Sequence, residues 1–255
     1  GVKLLTMAER PGLQFQHGIE LSPAQIRLRA VFRLVFSQVF RTEVVAGNES
    51  LDEAADFIRT TGKGVAVRIN HFSESDPTRA MFVSTSTPDL ENKRIVGPFA
   101  AHQVKKHPYL LPLCRRMGID LFAVVTPRTI EKAQKKGKAE GLKLGQGNDL
   151  YMARSVQVIN NGGLDISAPQ GTRQPSLEQW TTPNMWAFAL AMRNNGIDDF
   201  GILHIGFEAA GHTDYSKLGG LNVDKTYQAR LSEFRTFQDV LKNDLGGRAR
   251  GFDQW

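Results

Sequence analysis

Short apolar runs alternate along this chain with segments whose apolar residues recur at helical spacing. Short apolar runs bounded by turn residues are typical of buried strands, and a 3.6-residue period is typical of helices. The predicted strands cover residues 42–45, 64–69, 95–101, 120–125, 164–168 and 200–207. The predicted helices cover residues 51–60, 108–117, 151–161 and 186–195, and another begins at Asp76. This alternation predicts an α/β fold, a layered mixed sheet flanked by helices.

The pattern also predicts an amphipathic helix near the N-terminus. Ser22 can cap it, Pro23 suits its first turn and Gln25 can close a capping box. Polar residues recur every four positions, at Gln25, Arg29, Arg33, Ser37 and Arg41. Apolar residues fill the other side, at Leu28, Phe32, Val35, Phe36, Val39 and Phe40. Such a helix could pack on the core or lie on an anionic membrane.

Length and apolar content indicate how the chain is organised. We predict an N-terminal helical segment at residues 1–41, which could face a membrane, and one α/β domain at residues 42–255. No run of 18 apolar residues occurs, so we expect no membrane-spanning helix. Residues 1–11 contain no signal-peptide core. Cys114 is the single cysteine, which predicts a reducing compartment and a core position for its thiol.

The formal net charge of +6 favours an anionic partner. Zinc-ligand clusters and RNA-binding signatures are not visible, so we expect no nucleic-acid partner. A basic stretch at residues 126–148 predicts either a solvated surface or contact with a phosphorylated carrier or lipid head groups. Its lysines are Lys132, Lys135, Lys136, Lys138 and Lys143.

The first candidate chemistry lies after the strand predicted at residues 64–69, where Asn70 and His71 precede Asp76. Acyl transfer to an alcohol needs a base, and histidine suits that role because its pKa lies near neutral pH. A carboxylate can orient the imidazole. On one helix the two side chains would point about 140° apart. They can meet only if the strand ends at His71 and the chain turns before Asp76.

Other interpretations of this spacing stay open. Asp76 before Pro77 is also typical of a helix N-cap, and a histidine after a strand is often an ordinary loop residue. No G-x-S-x-G nucleophile elbow occurs in the chain. Direct transfer with a general base therefore fits better than an acyl-serine intermediate.

The second candidate follows the strand predicted at residues 164–168 and runs from Pro169 to Arg173. A Pro-x-Gly turn exposes backbone N–H groups, and Thr172 and Arg173 add a hydroxyl and a fork of donors. This set suits a phosphate or a developing oxyanion. A tight surface turn with an exposed arginine is the alternative.

In this order and about a hundred residues apart, the two motifs resemble those of the lysophospholipid acyltransferase superfamily, the PlsC-like glycerol-phosphate acyltransferases. The first block of that family is N-H-x4-D after a strand, matched by Asn70, His71 and Asp76. The third block is commonly F-P-E-G-T-R-S, matched by residues 168–174. The resemblance covers residues 40–210.

The resemblance implies His71 as the catalytic base and Asp76 as its orienting acid. Gln170, Gly171, Thr172 and Arg173 would hold the acceptor, commonly through its phosphate. Asn70 would be an accessory residue. The family uses acyl-CoA or acyl-carrier protein as donor and requires no metal or cofactor, and its members act at membranes. We therefore expect a cytoplasmic protein peripheral at the inner face of a membrane.

Three departures from the family pattern affect the acceptor more than the chemistry. Gln170 replaces the usual glutamate, and residues 168 and 174 also differ. The second block lacks its arginine, for which Arg128, or Arg115 and Arg116, could substitute. Glycerol 3-phosphate, a lysophospholipid and a glycolipid stay open as acceptors. A catalytically weakened lipid-binding relative and an acyl-thioester hydrolase are the alternative functions.

Overall fold

The structure is a computed structural model that describes residues 20–70, 75–168, 183–209 and 226–243. The strands of these residues are β1 (Thr42–Ala46), β2 (Val65–Ile69), β3 (Ile95–Ala100), β4 (Ile119–Val124), β5 (Leu164–Ser167), β6 (Gly201–Ala209), β7 (Tyr227–Leu231) and β8 (Arg235–Thr236). Their helices are α1 (Pro23–Val39), α2 (Glu49–Thr61), α3 (Asp76–Ser84), α4 (Pro88–Glu91), α5 (Ala101–Lys106), α6 (Leu110–Arg116), α7 (Pro127–Gln134), α8 (Asn148–Asn160), α9 (Pro183–Arg193) and α10 (Phe237–Asn243).

All eight strands join one mixed sheet in the order β1-β7-β6-β2-β5-β3-β4, and β8 also pairs with β6. Strand β2 lies at the centre, parallel to β5 on one side and to β6 on the other. Strand β7 runs antiparallel to β6 and parallel to β1. The predicted α/β class and the mixed sheet flanked by helices are confirmed.

Each face of the sheet carries its own apolar cluster. The first face packs on α2, α3 and α6, with Val67, Ile69 and Leu203 at its centre. The second face packs on α8, α9 and α10, with Ala66 and Ile202 at its centre. Successive residues of a strand alternate between the two faces, so the continuous apolar run of β2 reflects burial on both sides.

The predicted core position of Cys114 is confirmed. The residue is buried in the first-face cluster, against α6 and the sheet. Burial raises the pKa of its thiol to about 12. The thiol is therefore protonated at neutral pH and behaves as a small apolar side chain.

The N-terminal helix forms, but its predicted amphipathic division is not confirmed. The capping box of Ser22 and Gln25 is present. Leu28 and Phe32 pack against the first-face cluster as expected. Arg29, however, is buried, although it belongs to the side of the helix that was predicted to be polar. Apolar side chains lie outward instead: Val31 is 59% exposed, Leu34 69%, Val35 54% and Val39 41%.

This difference follows from the hydrogen bonds that a guanidinium can make. Arg29 donates to the carbonyl oxygens of Glu91, Lys93, Met117 and Gly118, at 2.7–3.1 Å. Buried arginine is tolerated when its donors find acceptors. The polarity of the α1 residues alone could not predict the burial of Arg29. The carbonyl groups that accept its hydrogen bonds belong to segments that approach α1 only in the folded chain.

Glycines allow the close approach that starts β2 beside β5. Helix α8 is followed by Gly162, whose φ of +71° lies in the left-handed region that favours glycine. A Cβ on Gly64 would lie 2.1 Å from the carbonyl oxygen of Gly163. The Gly162-Gly163 turn therefore has a packing reason, because two backbone segments are in contact where two central strands begin.

Candidate functional site

The carboxyl ends of β2, β5 and β6 lie side by side at one edge of the sheet. Arg68 of β2 is paired in register with Ser167 of β5 and His204 of β6. The first motif follows β2 directly along the chain, and the second follows β5. Sites in α/β sheets commonly lie at this edge of parallel strands.

Asn70 fixes the end of β2 to β6. Its side chain is buried, and its Nδ2 donates to the carbonyl oxygen of Phe207 at 2.9 Å. The N–H of Phe207 donates to Asn70 Oδ1 at 2.7 Å. The amide thus supplies one donor and one acceptor, as a backbone peptide would. An aspartate could not donate the first of these bonds, which explains the amide at this position.

Asp76 is the first residue of α3 and is completely buried. Ser75, also completely buried, occupies the N-cap, so the alternative that Asp76 is the N-cap residue is wrong by one position. A carboxylate in the first turn interacts favourably with the positive end of the helix dipole. The predicted start of a helix at Asp76 is confirmed. Residues 71–74, where the turn before it was predicted, lie outside the described part of the chain.

Arg79 holds the first turn of α3 against β1 and β7. Its Nε donates to Ser75 Oγ at 3.0 Å, and its Nη1 donates to the carbonyl oxygen of Arg41 at 2.7 Å and to Thr42 Oγ1 at 2.9 Å. The guanidinium stacks on Tyr227, 3.7 Å from the ring centroid. Burial lowers the pKa of Arg79, whereas the charges of Tyr227 and Asp76 act to raise it.

A second buried network ties β2 to β5 on the second face. Arg68 forms an ion pair with Asp165, and both side chains are buried. The hydroxyl of Tyr151 donates to both carboxylate oxygens of Asp165, at 3.0 and 2.9 Å, and Ser155 Oγ donates at 2.6 Å. Burial and the Asp165 charge raise the pKa of Tyr151, so the phenol is a permanent donor at neutral pH.

The ring of Phe188 lies under the Arg68 guanidinium, 4.3 Å from its centroid. Arg68 therefore has a carboxylate on one side and an aromatic face on another. This arrangement holds β2 and β5 in register two residues before Asn70, where both strands approach the edge of the sheet.

Several predicted site residues lie outside the described part of the chain. These are His71, Gln170, Gly171, Thr172 and Arg173. Arg128 is described and lies exposed in the first turn of α7, after β4. Strand β4 is three places from β2, or about 14 Å at ordinary strand spacing. Arg128 is therefore not next to Asp76, although it lies at the same edge of the sheet.

The basic stretch at residues 126–148 is mostly surface. It contains α7 followed by a series of turns, and Lys135, Lys136, Lys138 and Lys143 are exposed. This agrees with the solvated-surface interpretation.

Arg79 and the Arg68–Asp165 pair were missed by sequence reasoning, but a signal for the pair existed. Each member interrupts an otherwise apolar strand run, at Val67-Arg68-Ile69 and Leu164-Asp165-Ile166. Charged residues are almost never fully buried unless they are paired. Two opposite charges in two buried strands therefore predict a contact between those strands. For Arg79, the pattern within α3 provides no such signal.

The described residues hold no group of three His, Cys, Asp or Glu side chains that could bind a metal ion. Within the same part of the chain, none of the helices combines the length and apolar character needed to cross a bilayer. Comparison of the chain with protein-family models and with curated proteins found no match.

Proposed function

We propose that the protein is an O-acyltransferase that moves a fatty acyl group from acyl-CoA or acyl-carrier protein to a hydroxyl of a lipid acceptor. His71 is the general base, and Asp76 orients it. The acceptor is a glycerol phosphate, a lysophospholipid or a related lipid. The observation that carries the proposal is the adjacency of β2 and β5, because the two motifs follow neighbouring parallel strands that end at one edge.

Anchoring at both ends of the first motif supports this assignment. Asn70 is bonded to Phe207 of β6, and Ser75 is bonded to Arg79 of α3. The chain that contains His71 must connect these two fixed points. Catalytic geometry has to be held to within about 0.5 Å by supporting contacts, and the bonds of Asn70 and Ser75 are contacts of that kind at the two ends of the motif.

The burial of Asp76 supports its role as the orienting acid. In a water-excluded environment a carboxylate interacts more strongly with an imidazolium than it would in solvent. Arg79 supplies a positive charge near Asp76. Asp76 can then stabilise the imidazolium formed when His71 takes the proton of the acceptor hydroxyl.

Acceptor binding is proposed for Gln170, Gly171, Thr172 and Arg173. Backbone N–H groups, a hydroxyl and a guanidinium suit the phosphate of a glycerol phosphate or lysophospholipid. Arg128 is a weaker candidate for the same role, since α7 begins three strands from β2.

The test is an acyl-transfer assay with labelled acyl-CoA and acyl-carrier protein as donors and a panel of glycerol phosphate and lysolipid acceptors. The His71→Ala variant should lose about 10²- to 10⁴-fold in kcat, the range expected for a general base. Asp76→Asn should lose about 10²-fold or more, because the imidazole is no longer held in the right tautomer. The Asp52→Asn variant is the matched control, since Asp52 lies exposed in the first turn of α2.

The outcomes distinguish the competing functions. If His71→Ala kept most of the rate, the base assignment would be wrong. Lipid binding without turnover would favour a weakened lipid-binding relative. Hydrolysis of acyl-CoA at a rate independent of any acceptor would favour a thioester hydrolase. Thermal melting of each variant checks that Asp76→Asn, at a buried position, is folded.

Association with an anionic membrane surface is part of the proposal. The outward side of α1 presents Val31, Leu34 and Val35, with the exposed Arg27 on the same side. Apolar residues beside a cation suit the interface of an anionic bilayer. Replacing Leu34 and Val35 with serine should weaken co-sedimentation with vesicles containing anionic lipid, while Leu144→Ser, at an exposed apolar residue away from α1, should not. Equal vesicle binding by the two variants would show that α1 is not the membrane-binding surface.

A further inference from the structure

The strand that pairs with β6 on its antiparallel side is interrupted opposite His204. Strand β7 is paired up to Leu231 with Ile205, and β8 resumes at Arg235 with Ile202. Two residues of β6 therefore face three residues of the partner segment, from Ser232 to Phe234. One extra residue on one side is a β-bulge, a feature common beside functional sites.

Ser232 maintains the connection across this bulge. Its N–H donates to the carbonyl oxygen of His204 at 3.0 Å, and its Oγ accepts from the N–H of His204 at 3.1 Å. A cavity of about 190 Å³ lies beside this bulge. Its lining is Ile202, His204, Ser232, Glu233 and Arg235.

The cavity is separate from the candidate acyl-transfer site. Leu203 and Ile205 belong to the first-face cluster, which also contains α3 residues, whereas Ile202 belongs to the second. His204 alternates with Leu203 and Ile205, so its side chain lies on the second face, across the sheet from Asp76. A small group bound in the cavity would therefore not reach Asp76.

The electrostatic environment of His204 is positive. Burial, followed by the charges of Arg68 and Arg235, lowers the pKa of His204 to about 4. Arg68 is paired with His204 in register on β2 and forms its ion pair with Asp165. Arg235 on β8 is paired with Ile202, two residues from His204, and its Nη2 donates to the carbonyl oxygen of Asp239 at 3.5 Å.

Two carboxylates, Glu233 and Asp239, belong to the segment that contains Arg235. Asp239 on α10 accepts from the N–H and hydroxyl of Thr236, at 3.2 and 3.0 Å. Glu233 belongs to the lining, but its residue is exposed to solvent. The nearby positive charges therefore dominate over the negative ones at the imidazole.

We propose that this cavity binds a small oxyanion, a phosphate or carboxylate group, between the Arg235 guanidinium and the His204 imidazole. Arginine binds such groups through paired N–H donors, and a neutral imidazole can donate one further bond. A volume of about 190 Å³ is below the 300–1,000 Å³ typical of sites for drug-sized ligands, so it suits a single anionic group.

Binding of the anion and protonation of His204 are coupled. A negative charge in the cavity stabilises the imidazolium and raises the His204 pKa. By reciprocity, protonation strengthens anion binding by the same factor. Affinity should therefore rise as the pH falls toward the pKa of the imidazole, and it should be weaker at neutral pH.

The test is a titration of the full chain with inorganic phosphate, and separately with acetate, followed through the imidazole resonances by NMR. His204→Gln identifies the His204 signal by its loss. Phosphate or acetate should move that signal saturably, with a Kd on the order of 1 mM. The preferred ion distinguishes a tetrahedral phosphate site from a planar carboxylate site. Saturating anion should raise the His204 pKa by about one unit, a tenfold coupling.

Arg235→Gln should weaken binding about tenfold, as expected for loss of a charge-assisted contact. Arg230→Gln is the matched control, because Arg230 is an exposed arginine of β7 outside the cavity lining. Arg235→Lys, which keeps the charge, should retain part of the affinity. This variant and the titration of the unaltered chain keep the test valid even if Arg235→Gln does not fold.

Two results would overturn the proposal. One is a His204 signal that neither ion moves at about ten times the expected Kd. The other is an equal loss of affinity in Arg235→Gln and Arg230→Gln, which would indicate screening of general surface charge. Neither result bears on acyl transfer, which is measured with His71 and Asp76 variants.

Discussion

Two buried arginines, Arg29 on α1 and Arg68 on β2, have their charges satisfied in different ways. Arg29 donates five hydrogen bonds to four backbone carbonyl oxygens. Arg68 faces the carboxylate of Asp165, which also accepts from Tyr151 and Ser155. Burial and then the charge of Arg94 lower the pKa of Arg29 to about 10, while the charge of Glu91 acts to raise it.

The difference reflects what each region does. The hydrogen bonds of Arg29 to carbonyl oxygens hold α1 against the loops that precede β3 and β4. None of these bonds is to a carboxylate. At Arg68 two opposite charges depend on each other in the middle of the sheet. Removing one partner of such a pair leaves the other charge buried and uncompensated, which costs more than lost dipole contacts. We therefore expect that breaking the Arg68–Asp165 pair lowers the free energy of unfolding more than removing the hydrogen bonds of Arg29.

The largest effect is expected for Asp165→Asn. This change leaves the Arg68 charge without its carboxylate and should lower the free energy of unfolding by about 3–5 kcal/mol. Urea unfolding measures the loss. Replacing both residues with apolar ones, as in the Arg68→Met/Asp165→Leu variant, should recover much of it, because no lone charge remains. A double variant as unstable as Asp165→Asn would show that hydrogen bonds to Tyr151 and Ser155, rather than charge pairing, hold β2 to β5.

The next effect concerns acid stability, because burial and then the charges of Arg68 and Arg235 lower the pKa of His204. With a pKa near 4 in the folded state and 6.5 in the unfolded state, His204 binds more protons when unfolded between these pH values. Stability should therefore fall as the pH drops through this range, by about 3 kcal/mol in total. His204→Gln should flatten this part of the stability profile, measured by urea unfolding in a buffer free of phosphate and carboxylates. An unchanged slope would exclude His204 as the cause.

The smallest effect is expected for Arg29→Met, which leaves carbonyl oxygens without their donor but no unpaired charge. The free energy of unfolding should fall by about 2–3 kcal/mol. Arg33→Met is the matched control one turn away, where the guanidinium is partly exposed and donates to the carbonyls of Thr85 and Ser86. It should cost less than about 1 kcal/mol. A loss for Arg29→Met as large as that for Asp165→Asn would remove the distinction between the two regions.

Much of the fold could be predicted from the sequence, because local signals mark most of its elements. Strands β2, β3, β4 and β5 and helices α2 and α8 begin and end within a few residues of the predicted limits. These segments have buried apolar runs or helical periodicity, with glycines at their ends. Strands β7 and β8 were not predicted. They are short, and their pairing with β6 depends on residues far away in the chain.

The residues of the candidate site also divide into those that the sequence could predict and those that it could not. Asn70, His71 and Asp76 could be named from the sequence because their order and spacing follow a recognisable pattern. The structure places Asp76 as a buried carboxylate in the first turn of α3. Arg79 could not be found, since its acceptors at Arg41 and Thr42 belong to β1 and its preceding residue. Only folding brings them to α3.

The sequence by itself determined the α/β class, most element limits and the two motifs at strand ends, because these depend on local periodicity and turn residues. Tertiary structure alone decided that β2 and β5 are neighbours and that Arg29 is buried while Leu34 is exposed. It also decided that a bulge opens a cavity at His204. Strand order and the satisfaction of buried charges depend on groups distant in sequence, and no local pattern records which of those groups will meet.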